Sequence, residues 1–290
     1  MFRSRFPRIG HSVKKSFIRS YSHAQKVPPL RHDFTNGIPE FIGPNAFELS
    51  WTSYQKLMVD NLTQAIAGNP HLEGQRPKDI AIMCARDPDL AATFNYASMA
   101  FNNDFFFNSI QPNPTDNPVI PGRLKAAIEA SFSSVDSLKR EFVVTASKMF
   151  GPGFVWLMKD RFDELSILST YLAGSPFSGA HNRKQPKDMN TESNNVTDFY
   201  RQTLTGPPVN KVGAHGPLSN SRKPPGGIEL TPILCVNTWE HVWIADYGMG
   251  ADNIGGKKVY IENWWNVIDW NVVADLAALN GSPSPAKYFK

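Results

Sequence analysis

The run FNYASMAFNNDFFF at residues 94–107 limits the possible folds more than any other stretch of the chain. Phe94, Met99, Phe101 and Phe105 to Phe107 make it too aromatic for anything but a packed interior, so a helix here has to be covered by other elements. SWTSYQKLMVDNLTQAIAG (50–68) offers the first cover. Its Trp51, Tyr54, Met58, Leu62, Ala65 and Ile66 recur at helical spacing, and Gly68 with Pro70 supplies the stop. The two segments predict a helical hairpin domain within residues 27–116, entered through a Pro-containing connector.

From residue 117 the texture changes to shorter elements. PGRLKAAIEASFSSVDSLKREFVVTASKMF (121–150) predicts two helices divided by a serine cap at Ser133 or Ser134. GPGFVWLMKD (151–160) and ELSILSTYL (164–172) predict a strand hairpin. TPILCVNTWEHVWIADY (231–247) predicts a third strand running into a helix or turn. VYIENWWNVIDWNVVADLAAL (259–279) is read as helical. The expected class is α+β: a helical hairpin, then an α/β domain over 117–290 with a three-stranded antiparallel sheet.

Charge is unevenly placed. Residues 1–26 carry seven basic residues and no acidic one, with Phe2, Phe6, Ile9, Val13, Phe17 and Tyr21 on one helical face. That pattern describes a mitochondrial presequence, with cleavage expected near Tyr21 or Ser22 and a matrix destination. The full chain has a net charge of +4, but without this segment 23 basic residues face 26 acidic ones, a net −3. A general polyanion binder is thereby excluded. Between the second and third strands, residues 176–228 are polar and rich in Pro, Gly, Asn and Ser. They hold Arg183, Lys184, Lys187, Arg201, Lys211, Arg222 and Lys223 against three acids. So long a connection suggests a contact surface for another macromolecule. The two cysteines, Cys84 and Cys235, are too few for a disulfide framework, and no apolar run is long enough to span a bilayer, so no membrane partner is expected.

Six segments in order, FNYASMAFNNDFFF, SFSSVDSLKREF (131–142), FGPGFVWL (150–157), STYLAGSP (169–176), PILCVNTWEHVW (232–243) and WNVIDW (265–270), resemble the iron/manganese superoxide dismutases. In that family three imidazoles and one carboxylate hold the metal. The resemblance places those ligand positions at Ser50, Asn103, Asn237 and His241, of which only His241 keeps the family's residue. The gateway Tyr of the family becomes Met58, and its active-site Gln falls on Met99 or Ala173, depending on metal class. Hydroxyl and amide groups are poor substitutes for imidazole and carboxylate. The resemblance therefore implies no metal, no cofactor and no dismutase chemistry, and His241 is expected to be a buried histidine hydrogen-bonded to a partner.

The resemblance also implies a pairing face. In the family's dimers the Glu of the WEH motif reaches across the two-fold axis to the ligand His of the other subunit, a bridge that Glu240 and His241 still allow. The family's neighbouring cross-interface His and Tyr become Tyr54 and Ile244, which form no polar pair. A partner with different residues then fits better than an identical copy. Together these features look like the superoxide-dismutase-like proteins of the fungal mitochondrial small ribosomal subunit, two of which are related and paired. The expectation is a structural ribosomal component partnered by small-subunit proteins. A free-standing dimeric binding protein on the same frame, or an active metal-dependent dismutase, are the alternatives.

Overall fold

The computed structural model describes residues 24–85, 87–177, 230–250 and 255–279. All but residues 24–26 of the expected presequence, and all but residues 176 and 177 of the expected insert with its seven cations, lie outside the described residues.

The first helical run starts at Pro44, whose ring suits the first helical position, and forms α1 (Pro44–Phe47). It widens into a π-helical turn (Glu48–Ser53) and continues as α2 (Tyr54–Ile66). The buried face of α2 is Met58, Val59, Leu62 and Ile66. α3 (Pro77–Cys84) intervenes before α4 (Ala91–Asn108), so the expected two-helix hairpin is a three-helix arrangement. Only Ile80, Ala81 and Cys84 of α3 are buried, too short a pattern to stand out in the sequence. A helix of this length depends on tertiary packing rather than on its own propensity.

α4 is covered on several sides, and its three consecutive phenylalanines show how. Phe105 packs on Trp156 of the sheet, Phe106 on Phe41 of the connector, and Phe107 on both Phe47 and Trp51. One acid rides on this helix. The Asp104 carboxyl is pushed up to about 7 by burial, against a lowering by the hydrogen bond that Asn108 Nδ2 donates to it at 2.8 Å. An unfolded chain ionises Asp near pH 4. Between about pH 4 and 7 the folded state therefore binds the extra proton, and stability falls as pH rises through that window. Asp104→Asn removes this slope, so thermal unfolding should show the variant gaining on wild type at pH 8 and gaining little at pH 4.

α5 (Gly122–Phe132) ends where Ser133 turns to φ +68°, and α6 (Val135–Lys148) begins under Ser134, whose Oγ accepts the Ser137 N–H at 3.0 Å. The serine cap is thus resolved to Ser134. β1 (Gly153–Lys159), β2 (Leu165–Tyr171) and β3 (Thr231–Asn237) form one antiparallel sheet in the order β2–β1–β3. Trp156 lies opposite Leu168 on one side and Cys235 on the other. Phe154 to Met158 are all buried, because helices cover both faces of the central strand. Pro232 is tolerated because β3 is an edge strand, and it sits at the register shift beside Met158.

The chain then forms α7 (Glu240–Tyr247), α8 (Gly256–Asn266) and α9 (Trp270–Ala277). The single helical stretch expected over 259–279 is broken at Asp269. Its carboxylate caps α9, its N–H donates to Ser109 O at 2.9 Å, and neighbouring Ile268 bridges to Ile110. At Gly256, φ is +73° and a Cβ would stand 2.6 Å from Gly250 Cα, so two backbones meet where only glycine fits. Among the described residues no helix is long and apolar enough to cross a membrane.

Candidate functional site

Of the four positions that the resemblance assigns to ligands, Ser50, Asn103 and Asn237 are joined by hydrogen bonds, and each of the four comes from a different element. Ser50 lies in the π-helical turn, Asn103 in α4, Asn237 at the end of β3 and His241 in the first turn of α7. Ser50, Asn103 and Asn237 are fully buried. Their polar atoms are already engaged with protein. Ser50 Oγ donates to Ala46 O at 2.6 Å. Asn103 Nδ2 donates to Ser50 O at 3.0 Å and to Gln55 Oε1 at 3.1 Å, while Asn237 Nδ2 donates to Asn103 Oδ1 at 3.3 Å. Asn237 Oδ1 accepts the Trp239 N–H at 2.9 Å, and Gln55 Nε2 donates to Ala100 O at 2.8 Å.

Gln55 is the member of this group that the sequence reading missed. It is 1 % exposed. A signal was present, since Gln55 lies four residues after Trp51 and three before Met58, on the apolar face of its helix. A polar residue at such a position needs a buried partner. Met58 and Met99, which the resemblance sets at the gateway Tyr and at one Gln position, are buried apolar side chains, and Ala173 lies partly buried.

His241 departs from expectation. It makes no hydrogen bond, and its Nε2 is buried without a partner. The ring instead stacks on Tyr54, with centroids 4.3 Å apart, and lies 5.6 Å from the Trp239 ring. The Tyr54 hydroxyl and the Trp239 indole N–H can both donate, but Tyr54 meets the imidazole face to face and Trp239 Nε1 is itself buried without a partner, so neither bonds His241 Nε2. Burial accordingly depresses the imidazole pKa to about 4, and burial raises the Tyr54 phenol to about 12. One neutral imidazole, one hydroxyl and two amides spent on one another do not fit a manganese or iron ion. Among the described residues no three or more His, Cys, Asp or Glu side chains gather to hold a metal.

The expected pairing residues fall near one another. Tyr54 and His241 touch, Glu240 opens α7, and Ile244 is one turn further along, 36 % exposed. Lys257, unremarked in the sequence, donates from Nζ to Met149 O at 2.6 Å. Its pKa is lowered by burial and raised in opposition by the charge of Glu240, which places that carboxylate nearby. Beside this region, Gly153 O takes the Thr238 N–H at 2.9 Å, and on the same turn Phe150 stands 96 % exposed.

Residues 120–186 and 216–276 match the family described as iron/manganese superoxide dismutases, C-terminal domain. The Schizosaccharomyces pombe small ribosomal subunit protein mS42 is 32 % identical over 201 residues, covering 68 % of this chain and 71 % of that protein. The mS43 protein of the same organism is 28 % identical over 246 residues, covering 83 % and 80 %. An iron superoxide dismutase of Salmonella typhimurium is 27 % identical over 238 residues, covering 82 % and 91 %. The chain therefore belongs to the iron/manganese superoxide dismutase family, among its superoxide-dismutase-like members such as mS42 and mS43.

Proposed function

We propose that this chain is a structural, non-enzymatic subunit of the mitochondrial small ribosomal subunit, acting in the matrix and delivered there by residues 1–26. The observation that carries this reading is the likeness to two small-subunit proteins, mS42 and mS43. The ligand positions support it, because three of them hold residues that bind protein rather than metal.

In this reading the protein pairs through the face around Tyr54, Glu240, His241 and Ile244 with a second dismutase-like chain. The exposed Phe150 beside that face supplies apolar area of the kind that such contacts bury. The insert at 176–228, through Arg183, Lys184, Lys187, Arg201, Lys211, Arg222 and Lys223, reaches neighbouring proteins or rRNA. A body of net −3 is poorly suited to burial in phosphate, so the main attachment is to protein.

Gradient sedimentation of organellar lysate tests the reading. The protein should travel with small subunits, and a chain lacking residues 180–225 should pair normally yet enter particles poorly. Sedimentation of the full-length protein only as a free dimer would favour the free-standing binding protein instead. Stoichiometric iron or manganese with superoxide turnover would restore the enzyme reading. For the face itself, Glu240→Ala should weaken pairing by about 2 kcal/mol, measured by analytical ultracentrifugation, because a desolvated imidazole in the partner loses its carboxylate. Unchanged pairing would remove Glu240 from the interface.

A further inference from the structure

We infer that the buried amide chain Gln55–Asn103–Asn237 does the mechanical work that a metal ion does in a dismutase, clamping the helical half of the molecule to the sheet. A metal held at the family's four positions would join the π-helical turn, α4, β3 and α7. Here the same elements are joined atom to atom. Asn103 ties α4 to the π-helical turn through Ser50 O and to α2 through Gln55 Oε1. Asn237 ties β3 to α4 through Asn103 Oδ1, and its own Oδ1 receives the N–H of Trp239 at the entry to α7.

The backbone is shaped to allow this. In the π-helical turn the Tyr54 N–H bonds Leu49 O and Trp51 O and skips Ser50 O, which normal helical spacing would have occupied. The Ser50 carbonyl is left pointing at Asn103.

Direction along the chain makes the residues interdependent. Both hydrogens of Asn103 Nδ2 are used on Ser50 O and Gln55 Oε1, so its oxygen must face Asn237. Residue 237 must then present a hydrogen. An ionised carboxylate, the residue that the family resemblance expects at this position, has none to give and would set oxygen against oxygen. Asn237 therefore follows from Asn103, and the two replacements form one unit rather than two separate losses of ligands.

The test is thermal unfolding of the isolated full chain, so the inference stands or falls independently of any ribosomal placement. Asn237→Asp changes no volume and opens no cavity. In EDTA at pH 8 it should lower Tm by ~10 °C, the loss expected when a buried acceptor goes unpaired beside a buried charge. The gap should narrow at pH 5, where a protonated Asp can donate to Asn103 Oδ1, and MnCl2 should not close it. Should that variant fail to fold, the cycle of Gln55→Met, Asn103→Leu and the double variant decides: the chain requires the two losses to be strongly non-additive. A Tm within ~2 °C of wild type for Asn237→Asp at pH 8 overturns the inference. So do additive losses in the cycle, or a rise in wild-type Tm on adding MnCl2.

Discussion

Trp156→Ala should lower Tm by about 10–20 °C. Trp156 is fully buried at the middle of the central strand. Its ring meets Phe105 of α4 at 5.5 Å and Phe154 of its own strand at 5.6 Å, and its Nε1 donates to Thr170 Oγ1 of β2 at 2.9 Å. Truncation opens a cavity between the helical half and the sheet and leaves the Thr170 hydroxyl without its donor. About 4–5 kcal/mol is expected for an aromatic deletion at such a site. Trp156→Phe keeps most of the packing and should recover over half of the loss in calorimetry. Equal losses for the two variants would show that the indole N–H, rather than packing, dominates.

Asp269→Ala should cost about 2–3 kcal/mol, with a fall in Tm of about 5–10 °C. Asp269 Oδ1 accepts the N–H groups of Asn271 and Val272 at the start of α9, and Oδ2 takes Arg31 Nη1 at 3.0 Å. The carboxylate thus caps the last helix and ties it to the N-terminal connector. Cap loss supplies about 1–2 kcal/mol. The ion pair adds less, because the Arg31 side chain is 33 % exposed and therefore screened. Asp269→Asn keeps a capping oxygen and should lose less than about 1 kcal/mol. Chemical denaturation at low and high salt separates the two contributions: the Asn variant should converge on wild type as salt rises, and the Ala variant should not.

The same residue shows where sequence reading succeeds and where it stops. The three strands were legible because each is a short apolar or β-branched run between turn residues, and β1 and β3 read clearly because both of their faces are covered. The break at Asp269 was not, because the helical pattern carries on through WNVIDWNVV, and only the contact with Ser109 shows that Asp269 caps rather than continues. α3 was hidden for a related reason, since a helix with three buried positions carries too little periodicity to be recognised.

At the site, the motifs point to Asn103 and Asn237, but not to the contact between them. Asn103 and Asn237 lie 134 positions apart, and no spacing rule says that their amides meet. The expectation of a hydrogen-bonded His241 fails because burial does not by itself supply a partner. Its ring is instead packed among aromatics that leave Nε2 without a partner.

Amides neither titrate nor exchange with cellular metal pools. A fold whose centre is closed by Gln55, Asn103 and Asn237 therefore carries its own clamp as soon as it has folded and waits for no metal to be delivered. Its maturation should be indifferent to iron or manganese starvation, conditions under which a metal-closed relative would be left incomplete. For a part needed in fixed proportion to many others, supply then depends on synthesis and import and not on metal loading.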